Sequence, residues 1–261
     1  MKITLEYAKE NIVDGILIAE LDSWMEFNEY VCSTVLNYKH YIWRGQRNAD
    51  WQLESTLNRT LRDSNGNKED LINMHLERFK YATRGRRGTT PVKIESEDDW
   101  WALGQHHGIA TPLLDWTTSP FVAAYFAFYE ENKNGSAKRA VFSLHSSEYI
   151  IKSNEILKNN PDKSNEIIKI IKPYSDENPR LVNQSGLFTK IPIGTDIEKW
   201  TKENFNDKKF KIRLLKIILP ESERNTILKA LNRMNINHLT LFPDLTGVSM
   251  YANMSLNIDN Y

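Results

Sequence analysis

Residues 120–129 are apolar at almost every position, and a chain that carries such a segment must bury it. The segment is too short to span a bilayer, which takes roughly 20 residues. Proline at the first helical position, after Ser119 as a capping residue, predicts where a helix begins. Apolar side chains then cover most of its circumference, which predicts a buried helix: they are Phe121, Val122, Ala124, Tyr125, Phe126 and Phe128.

Shorter patterns on both sides of this helix predict strands mixed with helices, and therefore an α+β protein. Predicted strands cover 2–5, 14–18, 41–44, 140–144, 187–191, 211–218 and 238–241. Predicted helices cover 22–36, 69–81 (with Leu71, Met74 and Phe79 inward), 95–106, 154–172 (interrupted at Pro161) and 221–234. Loops or turns are predicted at 132–137 and 242–247. Because only the polarity of 175–178 hints at a boundary, we expect one domain over 1–261.

The composition is that of an ordinary globular protein, with 40% hydrophobic and 26% charged residues and a formal net charge of zero. Zero net charge argues against a general polyanion binder but leaves room for a local basic patch. The single cysteine, Cys32, excludes an internal disulfide and lies in an apolar run, so we expect a buried thiol. The first ten residues contain no apolar signal-peptide core, and no membrane span is predicted. We therefore expect a cytoplasmic protein.

An arginine followed by glycine ends the predicted strand 41–44. Arg44 would lie where the backbone leaves the sheet, and Gly45 would let another group approach closely. Such a guanidinium can bind a phosphate or carboxylate through two parallel hydrogen bonds. The alternative is a structural arginine that pairs with an internal acid.

A polar run, 104–119, lies between two apolar helices and must satisfy its hydrogen bonds internally or with a ligand. It contains His106, His107 and Asp115, and ends in Thr117, Thr118 and Ser119. Adjacent histidines diverge on regular structure, and no zinc-binding motif is present, so no metal is predicted. One of the three hydroxyls is explained by capping of the following helix, but capping does not explain all three or Asp115.

A carboxylate follows the last predicted strand, where Asp244 could face the same cleft. Its alternative role is turn formation, since aspartate and glycine are common turn residues.

These three clusters, in this order, resemble the FRG domain, a family named for an aromatic-Arg-Gly motif. Here that motif reads Trp43-Arg44-Gly45, and the central stretch runs from Gln105-His106-His107-Gly108 to Leu114-Asp115-Trp116-Thr117. The C-terminal signature is similar to 241–245, and the resemblance covers about 16–250. One departure is Pro112, where the family pattern has a basic residue, so one basic side chain is missing.

FRG domains look similar to the arginine-type ADP-ribosyltransferases, which implies a split mixed or antiparallel sheet with surrounding helices and NAD as substrate. By this resemblance the catalytic residues are Arg44, Thr117, Ser119 and Asp244. The NAD-binding residues are Arg44, Gly45, Gln46, His106, His107, Asp115, Thr118 and Gln184. The resemblance implies no metal cofactor, and a toxin-like or defence enzyme of this kind would need a neutralising partner.

The acceptor of the ADP-ribose is predicted from a basic segment with interleaved aromatics. Such a loop can track nucleic acid, which favours RNA over protein, although a solvated flexible loop has the same composition. Its basic residues are Arg78, Lys80, Arg84, Arg86 and Arg87. Two further hypotheses stay open: a non-catalytic nucleotide- or nucleic-acid-binding module, and a metal-independent nuclease that uses His106 or His107.

Overall fold

The computed structural model describes residues 3–131, 137–173, 179–205 and 211–261. Within these residues the strands form one mixed sheet in the order β1-β7-β4-β2-β3-β6-β5, in which β1 and β7 are parallel and the other pairs antiparallel. The strands are β1 (Ile16–Glu20), β2 (Tyr41–Gln46), β3 (Leu113–Thr117), β4 (Lys138–His145), β5 (Lys169–Ile171), β6 (Gly186–Lys190) and β7 (Leu214–Pro220). The α+β prediction is confirmed at this level.

The sheet is nearly divided between β2 and β3. These strands pair at one position, Trp43 with Thr117, whereas β2 pairs with β4 along its whole length from Tyr41 to Gln46. Beyond Trp43, the end of β2 separates from β3. The gap that results is the basis of the site described below.

Helices surround the sheet on both faces. In chain order they are α1 (Leu5–Asn11), α2 (Trp24–Ser33), α3 (Thr56–Thr60), α4 (Lys68–Ala82), α5 (Glu97–His106), α6 (Pro120–Phe128), α7 (Ser146–Asn159), α8 (Pro179–Asn183), α9 (Ile197–Asn204), α10 (Arg224–Arg233), α11 (His238–Leu241) and α12 (Leu245–Asn257). Short 3₁₀ turns lie at Val35–Asn37, Pro161–Asn165 and Glu221–Glu223. None of the described helices has both the length and the apolar character that a bilayer crossing requires.

Helix α6 is the buried helix that its composition predicts. It packs against β2, β4, β3 and α10, and Tyr125 and Phe128 are fully buried. Ser119 caps it, accepting a hydrogen bond from the backbone N–H of Val122 at 3.3 Å, and Pro120 occupies its first turn. Trp43 and Val141 face the α6 side of the sheet, while Ile42 and Phe142 face a second apolar cluster on the opposite side.

Several sequence-based predictions about elements were wrong. A strand was predicted over 2–5, but residues 3 and 4 are not in a strand and helix α1 begins at Leu5. Residues 238–241 form helix α11, capped by Asn237, where another strand was predicted. The predicted turn 242–247 ends in helix α12, and the helix predicted to start at 154 begins at Ser146. Residues 169–171 are strand β5. Short apolar runs do not distinguish helix from strand, because both bury one face.

Two side-chain predictions also fail. Met74 is 50% exposed, and Leu76 is the residue of α4 that is buried. Cys32 is exposed on α2, because the buried face of that helix consists of Trp24, Phe27 and Val31. The possible boundary 175–178 and most of the loop 132–137 lie outside the described residues.

Candidate functional site

A cleft of about 940 Å³ opens where β2 and β3 separate. It brings together six of the residues predicted for the site: Arg44, Gly45 and Gln46 from β2, Asp115 and Thr117 from β3, and Gln184 after α8. Aromatic side chains form much of the wall, among them Trp51, Trp116, Phe126, Tyr129 and Phe242. A cleft with aromatic walls and charged groups suits a nucleotide better than a purely apolar ligand.

Arg44 spans the gap between the two strands. Its Nη1 donates to the backbone carbonyl of Asp115 at 2.8 Å and lies 3.7 Å from Oδ2 of the same residue. Its side chain is 21% exposed, and Nε is buried without a hydrogen-bond partner in the described structure. Burial lowers the pKa of Arg44, Asp115 opposes that effect, and the charge of Arg59 adds to it. The Nε and Nη2 edge is thus held in place, with no protein acceptor among the described residues.

Gln105, in the segment that contains the two histidines, helps to orient Asp115. Gln105 donates from Nε2 to Oδ2 of Asp115 at 2.8 Å and accepts from the hydroxyl of Thr111. Asp115 is therefore oriented from the side of α5, while most of its carboxylate stays exposed. Gln105, which precedes the two predicted histidines, thus influences the cleft by orienting Asp115.

Gly45 is required by helix packing. A Cβ atom at this position would lie 2.0 Å from the carbonyl oxygen of Ala123 and 2.4 Å from the backbone nitrogen of Ala127. The group that approaches Gly45 closely is therefore the backbone of α6. Glycine at this position lets β2 and α6 meet at the floor of the cleft.

Gln46 places a buried acceptor at the cleft. The residue is 7% exposed, and its Nε2 donates to the carbonyl of Gln52 at 3.2 Å. That hydrogen bond fixes which end of the amide is the donor. Its Oε1 is buried and has no partner within the described part of the chain.

The three predicted hydroxyls are divided between the cleft and the surrounding structure. Thr117 lines the cleft, but its hydroxyl donates to the carbonyl of Gln184 at 2.7 Å and accepts from the N–H of Ser119 at 3.1 Å. Ser119 caps α6 and does not line the cleft. Thr118 is exposed, and its N–H donates to the carbonyl of Ser185 at 3.1 Å.

Because Ser119 serves as a helix cap, its replacement should act on stability. We expect Ser119→Ala to lower the free energy of unfolding by about 1 kcal/mol, since one N–H at the start of α6 loses its acceptor. Chemical denaturation of both proteins measures the difference. Ser119→Asp, which can also cap, should retain most of the stability. A loss of ligand binding with unchanged stability would contradict the capping role.

Asp244 lies outside the cleft lining and is engaged with other groups. Its Oδ2 accepts from Nε of Arg180 at 2.9 Å, and its Oδ1 caps α12 through the N–H of Gly247 at 3.0 Å. The hydrogen bond from Arg180 and the N–H of Gly247 hold its pKa below the usual range. Phe242, two residues earlier in the chain, does line the cleft. The catalytic role of Asp244 stays a prediction, and the structure gives it a capping role.

His106 and His107 also lie outside the cleft lining, with ring centroids 4.8 Å apart. Burial lowers the pKa of His106, and the neighbouring His107 and Arg180 add to that effect. The described residues contain no cluster of three or more side chains of the kind that binds metal ions.

The predicted nucleic-acid segment lies on α4 and the loop after it, away from the cleft lining. Two of its arginines cover aromatic rings: the guanidinium of Arg84 lies 3.5 Å from the ring centre of Tyr81, and that of Arg87 lies 5.4 Å from Trp100. Lys80 pairs with Glu77 at 2.7 Å. Arg78 and Arg86 are exposed.

Sequence reasoning missed most of the charged rim of the cleft. The rim is supplied by the segment just after β2, by α3 and by the end of α6: Arg47, Asp50, Glu54, Arg59, Arg62 and Glu130. The available signal was the density of arginine, acid and tryptophan immediately after the Arg-Gly motif.

A comparison with protein-family models matches residues 39–136 to the FRG domain. Neither curated proteins nor solved structures give a match. The matched region runs from the start of β2 past the end of α6 and supplies most of the residues that line the cleft. Residues 39–136 therefore match the FRG domain family, as the Trp-Arg-Gly and Gln-His-His-Gly motifs predict.

Proposed function

We propose that the chain is an NAD-dependent ADP-ribosyltransferase whose substrate binds in the cleft between β2 and β3. The observation that carries this proposal is the hydrogen bonding of the Arg44 guanidinium. Its Nη1 is fixed by Asp115, while Nε and Nη2 have no acceptor among the described residues. The exposed part of a guanidinium held in this way can bind a phosphate oxygen with little further cost in ordering.

The reaction needs stabilisation of positive charge on the ribose. The bond between C1′ and the nicotinamide nitrogen breaks, nicotinamide leaves with the electron pair, and the acceptor attacks C1′ and releases a proton. A carboxylate near the ribose lowers the barrier, as in glycoside hydrolysis. Asp50, Asp115 and Glu130 line the cleft and are candidates beside Asp244.

The test is transfer of label from NAD to total RNA or to cell lysate. Arg44→Ala should reduce transfer about 10- to 100-fold, because charge-assisted hydrogen bonds are worth roughly 1.5–3 kcal/mol. Arg233→Ala, which removes an arginine of α10 outside the cleft, is the control. Equal activity of wild type and Arg44→Ala would overturn the proposal. Comparison of RNA with protein as acceptor decides between the two classes.

A non-catalytic nucleotide-binding module is the second candidate. It is favoured by Asp244, which is already engaged with Arg180 and α12 and lies outside the cleft lining. This candidate expects binding of NAD without release of free nicotinamide, which chromatography detects. A nuclease that uses His106 or His107 would instead produce RNA fragments in the absence of NAD. Toxicity on expression, relieved by a co-expressed neutralising partner, would support a toxin role.

A further inference from the structure

Four arginines line the cleft, and three of them face carboxylates. Arg44 lies beside Asp115, Arg47 pairs with Glu130, and Arg62 pairs with Glu54 at 2.6 Å. Such pairs neutralise much of the local positive charge. The fourth arginine, Arg59, differs from them.

Arg59 is held by neutral acceptors. Its Nη1 donates to the backbone carbonyl of Glu54 at 2.7 Å, and its Nη2 donates to the hydroxyl of Thr56 at 3.1 Å. Across the described ranges no carboxylate pairs with it. Its guanidinium is thus positioned by α3 and the residues before it, through neutral acceptors and without a direct ion pair among the described residues.

The positive charges of Arg59 and Arg44 repel each other. Both line the same cleft, and Arg59 lies near enough to add to the lowering of the pKa of Arg44. An anion placed between the two guanidinium groups relieves that repulsion. One phosphate can be bound by the exposed part of the Arg44 guanidinium, and a second adjacent phosphate would meet Arg59.

We infer that Arg59 is a second phosphate-binding residue, so that Arg44 and Arg59 together bind the diphosphate group of a nucleoside diphosphate or a dinucleotide. This inference rests on the proposed function for the position of the ligand, and it names the part of the ligand that the cleft selects. It predicts a preference for diphosphates over monophosphates, because the second charge makes contact only with a second phosphate.

The test is calorimetric titration of the whole chain with ADP and with AMP. Wild type should bind ADP more tightly than AMP, and Arg59→Gln should weaken ADP binding about tenfold while AMP binding changes by less than about threefold. Arg59→Lys keeps the charge and loses the planar fork, so its ADP affinity should lie between the two. Arg233→Gln removes the same charge outside the cleft and should leave both affinities within about twofold.

The ratio of ADP to AMP affinity is compared within each variant, so a general loss of folding cannot imitate the result. An unchanged ratio in Arg59→Gln overturns the inference, and if that variant still responds to NAD like wild type, the proposed function survives. If ADP binding depends on Arg59 but NAD is not turned over, the inference is supported and the proposed transferase activity is overturned. Wild type that binds neither nucleotide overturns the inference, and turnover of NAD then decides the proposed function separately.

Discussion

Replacement of Gly45 with alanine is expected to destabilise the protein by more than about 3 kcal/mol, the upper part of the range for overpacked sites. The added methyl group would lie 2.0 Å and 2.4 Å from backbone atoms of Ala123 and Ala127. Those atoms belong to two fully buried residues of α6, so relief requires α6 to move away from β2. Such a shift would also deform the cleft, because Ala123 and Phe126 line it.

Thermal and denaturant unfolding of Gly45→Ala measures this effect. Gly88→Ala is the matched control: Gly88 has φ +83°, and a Cβ atom there would meet nothing within 4 Å. That variant should lose only about 1–2 kcal/mol from the left-handed backbone. If the two variants lose the same stability, the close contact with α6 is not the reason for glycine at position 45.

Acidification from pH 6.5 to pH 4 is expected to remove about 3 kcal/mol of stability through His238 alone. The residue is 1% exposed, and burial lowers its pKa from 6.5 to about 4. In this range the unfolded chain binds a proton that the folded chain does not, so stability is complete above pH 6.5 and falls as the pH decreases. The slope is about 1.4 kcal/mol per pH unit.

The surroundings of His238 explain why the neutral form is retained. Its Nδ1 shares a hydrogen bond with the hydroxyl of Tyr125, its ring stacks on Phe242, and the ring of Tyr129 lies edge-on to it. The groups that face it are aromatic and neutral, so a proton on this ring would have no counter-charge among them. Its Nε2 is buried without a partner in the described structure.

Urea denaturation at a series of pH values tests this prediction. The pKa values of His106 and His145 are also lowered, mainly by burial, so the wild-type slope contains contributions from these residues. The difference in slope between wild type and His238→Phe isolates the contribution of His238. A variant with the wild-type slope between pH 6.5 and pH 5 would contradict the assignment.

Where a helix-start signal and the apolar pattern agree, the sequence predicted the structure well. Helix α6 is an example, since Ser119 and Pro120 mark its start and its apolar surface requires burial. Residues 238–241 show the opposite case: the run His-Leu-Thr-Leu alternates like a strand. The capping box between Asn237 and Thr240 nevertheless makes it a helix.

The site was predictable where a residue type has one main use. An arginine before a glycine indicated Arg44, and the structure places it in the cleft. The strand end predicted at Arg44 was wrong, because β2 continues to Gln46. Asp244 was harder to assign, because a carboxylate after an apolar run fits a catalytic acid, a turn and a helix cap equally well. Arg59 could not be singled out, since its importance depends on which arginines acquire carboxylate partners in the folded state.

The single paired position between β2 and β3 divides the sheet into two leaves, one of β1, β7, β4 and β2, the other of β3, β6 and β5. Helix α6 packs on strands of both leaves and connects them. The line of weakest backbone connection in the sheet is therefore also the line along which the cleft opens. Because the cleft is lined by residues of both β2 and β3, a ligand bound there would contact both leaves and add connections where the sheet has fewest. Slower amide hydrogen exchange in both leaves would then report that the site is filled.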